Sequence, residues 1–260
     1  MTARNANLAH LGREPVVVAT VECRMTSSRL PGKVMMPSGG RPMLEHLVRR
    51  LQQVDGVDHV VLATTTNGAD DCIEQLARRL GVGCFRGSED DVLDRVLRAA
   101  RSVRADVIVE ITGDCPLVDP SIVDQVLQLY LINTCDYASN DVVPSFPLGM
   151  DVQVFSTDLL ARADREGETP EDREHVSWFI VRQPDRFRLL MLPAALEVRW
   201  PDLRLTLDEM PDFRVLDALI SALHEKDPYF SCECAVRYLR AHPEIVALNR
   251  DIVQRMPEST

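Results

Sequence analysis

Residues 15–36 read PVVVATVECRMTSSRLPGKVMM, and the stretch changes character halfway along. Its first half is a run of β-branched and small apolar residues, which predicts a buried strand. Its second half gathers the cations Arg24, Arg29 and Lys33 with three hydroxyl side chains and a Pro-Gly turn. In an open parallel sheet, the loop after the first strand lies at the carboxyl edge, where such sheets bind ligands. The stretch therefore predicts a strand of an α/β sheet followed by a ligand-binding loop.

The rest of the chain continues this pattern. Short apolar runs such as 57–65 and 105–114 alternate with segments of helical period, which is typical of βαβ units. The alternation loosens after about residue 144, where we expect one helix over 171–183 and a strand over 203–208. The predicted fold is α/β, with a mainly parallel Rossmann-like sheet, helices on both of its faces and a small additional element.

Composition excludes several classes of protein. The formal net charge of −11 repels nucleic acid phosphates, so we expect no nucleic acid partner. No run reaches the roughly 18 apolar residues of a membrane helix, and residues 1–15 lack a secretory apolar core. We therefore expect no membrane partner. The seven cysteines form no C-x-x-C pair, so we expect free thiols and a cytoplasmic location. We expect an N-terminal extension over 1–15 and a single domain over 16–255.

Two aspartates complement the cationic loop. Asp114 follows Gly113 at the end of an apolar run, and Asp208 ends another. Two carboxylates at strand ends are able to share a hard cation such as Mg²⁺, whose other ligands are waters and phosphate oxygens. Cations in one loop and carboxylates at two other strand ends are what metal-assisted phosphoryl or nucleotidyl transfer requires.

Each of these features also has a purely structural explanation. Asp114 and Asp208 both precede predicted helices, where either serves equally well as an N-cap. A solvated, arginine-rich turn also explains the cationic loop. The loop is not a Walker loop, since Val34 stands where a Walker loop needs Ser or Thr. No G-x-G-x-x-G motif is present either, which argues against a dinucleotide site.

The motifs resemble those of a known family. RMTSSRLPGKVMM, RGSEDDVLDR, ITGDCPLVDP, GMDVQVF, REHVSWFI and LRLTLDEMPDF occur in this order between Val16 and about Ile220. They resemble motifs of the sugar-acid cytidylyltransferases, which are the CMP-3-deoxy-manno-octulosonate and acylneuraminate synthetases, and most of all their SpsF-type spore coat polysaccharide relatives. The resemblance implies a GT-A-like nucleotidyltransferase sheet, with 140–200 as a lid, acceptor and dimerisation region. It also implies a homodimer.

The resemblance further implies a reaction and its nucleotide site. CTP and a small acidic acceptor, a sugar acid or a phosphonate, would give the CMP-acceptor and pyrophosphate. The residues that correspond to the family's triphosphate site are Arg24, Ser27, Arg29 and Lys33.

The metal and acceptor residues follow in the same way. The resemblance makes Asp114 and Asp208 the ligands of Mg²⁺, and it makes both of them catalytic together with Lys33. It implies that His175 and Asp151 contact the acceptor.

The chain departs from the family pattern at three positions: Thr26 stands where Gly or Ala is usual, Cys23 where Ala is common, and Gln153 where Glu is frequent. These departures leave the acceptor open. The alternative functions are a sugar-phosphate nucleotidyltransferase that uses another NTP, a GT-A glycosyltransferase, and a non-catalytic nucleotide-binding protein. The chain contains no D-x-D element of the kind that most such glycosyltransferases use.

Overall fold

The computed structural model describes residues 5–254. The strands are β1 (Val17–Glu22), β2 (Pro37–Ser38), β3 (Arg41–Pro42), β4 (His59–Thr65), β5 (Gly83–Gly87), β6 (Val107–Thr112), β7 (Tyr137–Ser139), β8 (Gln153–Ser156) and β9 (Leu189–Met191). The α-helices are α1 (Met43–Leu51), α2 (Asp71–Leu80), α3 (Val92–Ser102), α4 (Pro120–Ile132), α5 (Thr157–Glu166), α6 (Pro170–Glu174), α7 (Trp178–Val181), α8 (Met210–Leu223), α9 (Cys232–Ala241) and α10 (Pro243–Val246). Short 3₁₀ helices cover Ala6–Leu11, Lys33–Met35 and Gly68–Asp70.

A seven-stranded sheet forms the centre of the molecule, in the order β5-β4-β1-β6-β8-β7-β9. Strands β5, β4, β1 and β6 are parallel, and β8 is antiparallel to both of its neighbours. Strand β1 lies inside the sheet and is buried along most of its length, as expected for a parallel strand that is covered on both faces. The carboxyl ends of β1, β4 and β6 therefore meet at one edge of the sheet.

Helices cover both faces of the sheet. Helices α1, α2, α4, α8 and α9 contribute to the core on one face, and α3, α5 and α7 contribute to the core on the other. Several helices begin where the sequence supplies a cap: Asp91 accepts the Asp94 N–H at the start of α3, and Asp119 accepts the Ser121 N–H at the start of α4. The predicted α/β fold with a mainly parallel sheet and helices on both faces is confirmed.

Two predictions after residue 144 are wrong. Residues 171–183 hold two short helices, because α6 ends at Glu174 with His175 as its C-cap and α7 begins only at Trp178. Asp172 is held by both Thr169 and Arg182. Residues 203–208 form no strand of the sheet. This segment instead makes one isolated bridge, Leu148–Arg204.

The segment before β1 packs onto the rest of the molecule. The Asn5 amide donates to the carbonyls of Tyr130 and Cys135, both at 3.0 Å. Residues 1–4 of the predicted extension and residue 255 of the predicted domain lie outside the described residues. Within residues 5–254, no helix combines the length and the apolar character needed to cross a membrane.

Candidate active site

The cationic loop after β1 is fixed to the end of the neighbouring strand β4. The buried Asp70 carboxylate accepts the Met25 N–H at 2.7 Å and the hydroxyls of Thr64 and Thr65. Gly32 has a left-handed φ of 74° and donates its N–H to the Met25 carbonyl at 2.8 Å, which closes the loop. The short 3₁₀ helix that follows begins with Lys33.

Lys33 lies at the centre of the site. Its Nζ is 3.1 Å from Asp114 Oδ2 and 3.0 Å from Asp208 Oδ1. Arg29 Nη2 also contacts Asp208 Oδ1, at 2.6 Å. The structure thus brings together four of the predicted site residues from three distant parts of the chain.

Asp114 is positioned by the end of β6. A Cβ on the preceding Gly113 would lie 2.7 Å from the Glu22 carbonyl, so glycine is needed where β6 passes β1. Thr112 Oγ1 donates to Asp114 Oδ1 at 2.6 Å. Burial by itself raises the pKa of Asp114, but the Lys33 ammonium and the Thr112 hydroxyl lower this pKa below its usual value.

Asp208 is held by a buried network that the sequence did not reveal. Arg204 Nη2 lies 3.2 Å from Asp208 Oδ2, and Arg204 Nε lies 3.3 Å from Asp212 Oδ1. Asp212 also accepts the Asp208 N–H at 3.1 Å. In the sequence these three residues are spaced four apart. Because this spacing is also close to the period of a helix, it did not indicate a network around Asp208.

Neither aspartate is the N-cap of a helix. Asp119 is the N-cap of α4, and Glu209 is the N-cap of α8. The capping explanation of Asp114 and Asp208 is therefore wrong.

Arg24 and Ser27 lie on the same loop but outside the Lys33 cluster. Arg24 Nη1 is 3.3 Å from Glu89 Oε1, and the Thr26 hydroxyl donates to the same carboxylate. Asn67 donates to Glu89 as well, at 2.6 Å. Ser27 is partly exposed. Glu89 belongs to the RGSEDD motif but was not among the predicted site residues. It links the loop to the start of α3.

Asp151 and His175 occupy different surroundings. Asp151 Oδ2 accepts the Gly149 N–H at 3.0 Å, and burial, together with the charges of Asp141 and Asp114, raises the pKa of Asp151 to about 7. The His175 side chain is exposed at the end of α6, and no hydrogen bond or ion pair among residues 5–254 joins it to the other predicted residues. Asp151 thus lies at the cluster, and His175 is not brought into it.

Three further acids near Asp114 were missed. Glu22 and Glu110 lie on the neighbouring strands β1 and β6, and their carboxyl groups are in hydrogen-bond contact. Burial raises the pKa of Glu22 to about 7 and that of Glu110 well above its usual value. Asp141 follows β7 and raises the pKa of Asp151. Glu22 and Glu110 lie within apolar strands and Asp141 follows one, so the neighbouring residues in the sequence do not mark these acids as part of a site.

The donor set fits Mg²⁺. Asp114 and Asp208 contact the same ammonium group, so their oxygens are near enough to share one cation. Among residues 5–254, no three Asp, Glu, His or Cys side chains are arranged to hold a metal ion. A Mg²⁺ ion on these two carboxylates would take its remaining ligands from water and phosphate oxygens, as this ion commonly does.

The site carries cations at the edge of the sheet where such folds bind ligands. Arg29 and Lys33 are suited to phosphate oxygens, and the site lies at the carboxyl edge of the parallel strands. A family model described as cytidylyltransferase matches residues 18–238.

Known proteins of this kind are similar along most of the chain. The spore coat polysaccharide biosynthesis protein SpsF of Bacillus subtilis is 33% identical over 88% of this chain and 95% of its own length. A cytidylyltransferase structure from Leptospira borgpetersenii is 31% identical, with a TM-score of 0.85, and covers 94% of this chain and 100% of its own.

A more distant structure shares the fold. A CMP:2-keto-3-deoxy-manno-octonic acid synthetase complexed with CTP is 20% identical, with a TM-score of 0.61, over 80% of this chain and 99% of its own. With the family match over residues 18–238, these findings agree with the chemistry of the site. The chain therefore belongs to the cytidylyltransferase family of CTP-dependent nucleotidyltransferases.

Proposed function

We propose that this protein transfers CMP from CTP to a hydroxyl group of a small sugar-acid or similar acceptor, with Mg²⁺ as cofactor and pyrophosphate as the second product. The observation that carries the proposal is the convergence of Arg29 and Lys33 with Asp114 and Asp208. Cations and carboxylates from distant segments meet at the edge of the sheet where such folds bind nucleotides.

The cations have a direct role in this chemistry. Lys33 and Arg29 donate hydrogen bonds to phosphate oxygens and stabilise the negative charge that moves onto the pyrophosphate in the transition state. Arg24 and Ser27, on the same loop, add contacts to the triphosphate. Asp114 and Asp208 would hold Mg²⁺, which would supply positive charge beside the phosphates.

The acceptor side is assigned to Asp151. Its carboxylate lies within electrostatic reach of Asp114, and its raised pKa of about 7 suits a group that takes up a proton near neutral pH. We propose that Asp151 accepts the proton of the attacking hydroxyl. The predicted contact of His175 with the acceptor has no support from the contacts of this exposed side chain and stays a proposal.

The printed names of similar proteins support an acceptor of the sugar class. One relative acts in spore coat polysaccharide biosynthesis, and others are 3-deoxy-manno-octulosonate cytidylyltransferases that match 45% or less of this chain. A cytoplasmic location and a homodimer, both expected from the sequence, remain parts of the proposal.

The test is a pyrophosphate-release screen with CTP and Mg²⁺ across sugar acids and phosphonates, in parallel with ATP, GTP and UTP. We expect release with CTP and at least one acceptor, and a loss of roughly 10²-fold or more in Asp114→Ala. The matched control is Asp185→Ala, which removes an exposed acid from a loop far along the chain.

Three outcomes would contradict the proposal. Near-normal turnover in Asp114→Ala would show that Asp114 has no role in the reaction. Preference for another NTP would favour a different sugar-phosphate nucleotidyltransferase. Binding of CTP without pyrophosphate release for any acceptor would favour a non-catalytic nucleotide-binding protein.

A further inference from the structure

Lys33 lies where a cation shared by Asp114 and Asp208 would lie. Its Nζ donates to Asp114 Oδ2 at 3.1 Å and to Asp208 Oδ1 at 3.0 Å. Among residues 5–254, no other basic side chain forms an ion pair with both of these aspartates. A metal ion held by both carboxylates would therefore use the same oxygens that now accept from the Lys33 ammonium group.

The oxygen of Asp208 that faces Lys33 has no acceptor capacity left. A carboxylate oxygen has two lone pairs, and Asp208 Oδ1 accepts from Lys33 Nζ and also from Arg29 Nη2, the latter at 2.6 Å. The other oxygen, Oδ2, accepts from the buried Arg204 at 3.2 Å. Coordination of a metal ion by Asp208 Oδ1 therefore requires that one of its two donors leaves.

Asp114 also presents one oxygen to Lys33. Its Oδ1 accepts the Thr112 hydroxyl at 2.6 Å, and its Oδ2 accepts from Lys33. Among the described residues, Lys33 is the one basic side chain that forms an ion pair with Asp114. If Lys33 leaves without a replacement, the Asp114 carboxylate loses its cation, which is costly for a carboxylate in this environment.

Lys33 is the donor that is able to leave. Arg29 forms an ion pair with Asp208 but, within residues 5–254, none with Asp114, so its departure would leave Lys33 between the two carboxylates. Lysine carries a compact ammonium group on a flexible four-carbon stem, whereas the guanidinium fork of arginine is rigid. Lys33 is also only partly buried, so its side chain has room to reorient.

The charges of the site are already matched by the protein's own side chains. Three cationic side chains contact three carboxylates in one connected cluster, whose members are Lys33, Arg29, Arg204, Asp114, Asp208 and Asp212. A divalent cation added alone would lie beside three like charges, and their repulsion opposes its binding. A triphosphate brings the negative charge that offsets both a metal ion and a released ammonium group.

We propose that Lys33 is an exchangeable counter-ion, which pairs with Asp114 and Asp208 and moves onto the triphosphate when the metal ion and the nucleotide bind. The protein then binds the metal ion tightly only together with the nucleotide. In this way both carboxylates are paired with a cation before and after the nucleotide binds. The inference rests on the proposed function, because it concerns the Mg²⁺ and CTP of that reaction.

The experiment measures how tightly the protein binds Mn²⁺ without nucleotide. Mn²⁺ stands in for Mg²⁺ because both ions prefer oxygen ligands in octahedral geometry, and electron paramagnetic resonance counts the unbound Mn²⁺ directly. Lys33→Met removes the ammonium group that competes for the two carboxylates. We expect this variant to bind Mn²⁺ roughly 10-fold or more tightly than wild type, within the usual range for coupled sites.

Three further variants make the result specific. Lys33→Gln also removes the charge but keeps a polar side chain, so it gives the same test if Lys33→Met does not fold. Asp208→Asn added to Lys33→Met should abolish the gain, which locates the metal ion at these carboxylates. Lys226→Met is the control, because it removes the exposed second lysine of the chain and should leave the affinity for Mn²⁺ unchanged. A cooperative urea transition shows that each variant is folded.

Wild type gives a test that needs no substitution. Calorimetry compares the binding of a non-hydrolysable CTP analogue in the presence of Mg²⁺ and in the presence of EDTA. Because the coupling between two ligands is reciprocal, we expect Mg²⁺ to strengthen the binding of the analogue by roughly 10-fold or more.

The outcomes separate this inference from the proposed function. Three results would overturn the inference: equal or weaker Mn²⁺ binding by the Lys33 variants than by wild type, a gain that persists after Asp208→Asn, or equal binding of the analogue with Mg²⁺ and with EDTA. If pyrophosphate release from CTP still occurs, the proposed function stands. Absence of any binding of the CTP analogue would instead contradict the proposed function.

Discussion

Lys33 shows how a single residue organises this site. It is one of only two lysines among 29 basic residues, and its ammonium lies between two aspartates that would otherwise repel each other. Burial by itself lowers the pKa of Lys33, but the charges of Asp114 and Asp208 outweigh burial and raise it. Lys33 therefore stays charged over the physiological range of pH.

We predict that Lys33→Met lowers the free energy of unfolding by an amount that depends on pH. The lowered pKa of Asp114 contributes stability above its unfolded value of about 3.8, and this contribution is lost as the pH falls through the lower folded pKa. Removing the ammonium abolishes the contribution and leaves the Asp114 carboxylate without its cation, whereas Arg29 and Arg204 still contact Asp208. We expect a cost of about 3 kcal/mol in the free energy of unfolding at pH 7.

Urea unfolding at pH 7 and near pH 3.5 would measure the effect. The difference between wild type and Lys33→Met should shrink at the lower pH, and the variant should also bind CTP more weakly. The matched control is Lys226→Met, which changes the exposed second lysine. An equal loss at both pH values would contradict the role of the ion pairs.

Glu110 gives a second prediction, with the opposite sign. Its folded pKa is raised by burial and by Glu22, so the contribution of this pair to stability is present below the unfolded pKa of about 4.5 and is lost as the pH rises through the raised folded pKa. Glu110→Gln removes the ionisable group, so the variant should gain stability relative to wild type at pH 8 and little at pH 4.5. Thermal unfolding at the two pH values would measure this, and an equal shift at both would contradict it.

At the scale of structural elements, the turn before β8 joins Asp151 to the segment that leads to Asp208. Gly149 has a φ of 95°, and a Cβ there would lie 2.5 Å from the Leu205 backbone. Leu205 N–H donates to the Leu148 carbonyl at 2.7 Å, and Leu207 N–H donates to the Asp114 carbonyl at 2.8 Å. The segment that leads to Asp208 is thus held by two loops of the site rather than by the sheet.

We predict that Gly149→Ala disrupts this junction. The left-handed backbone and the backbone clash together should lower the free energy of unfolding by about 2 kcal/mol or more, and turnover should fall because Asp151 and Asp208 both move. Urea unfolding and pyrophosphate release would measure the two effects. Gly68→Ala is the control, since a Cβ at Gly68 meets nothing within 4 Å; similar losses in both variants would contradict the prediction.

At the scale of the whole molecule, the region over 140–200 presents apolar side chains to solvent. Val143 is 63% exposed and Leu196 is 77% exposed. Their loops are neighbours, because Ser145 Oγ accepts the Ala194 N–H at 3.1 Å. Exposed apolar patches often mark protein interfaces, and this region was the predicted dimerisation segment.

We predict that the protein is a homodimer that uses this surface. Light scattering coupled to size exclusion should give about twice the chain mass of 29.2 kDa, and the double change Val143→Asp with Leu196→Asp should give the monomer mass. Val253→Asp is the control, since Val253 is 82% exposed outside the region. A monomeric wild type would contradict the prediction.

Local sequence patterns determined the α/β class, the parallel strands and the positions of Lys33, Asp114 and Asp208, because hydrophobic period and strand-end chemistry depend on neighbouring residues. Only the tertiary structure showed that Glu22 lies near Asp114 and Asp141 near Asp151, that Arg204 and Asp212 hold Asp208, and that 203–208 lies outside the sheet. These features depend on strand register and on burial between distant segments, which no local pattern encodes.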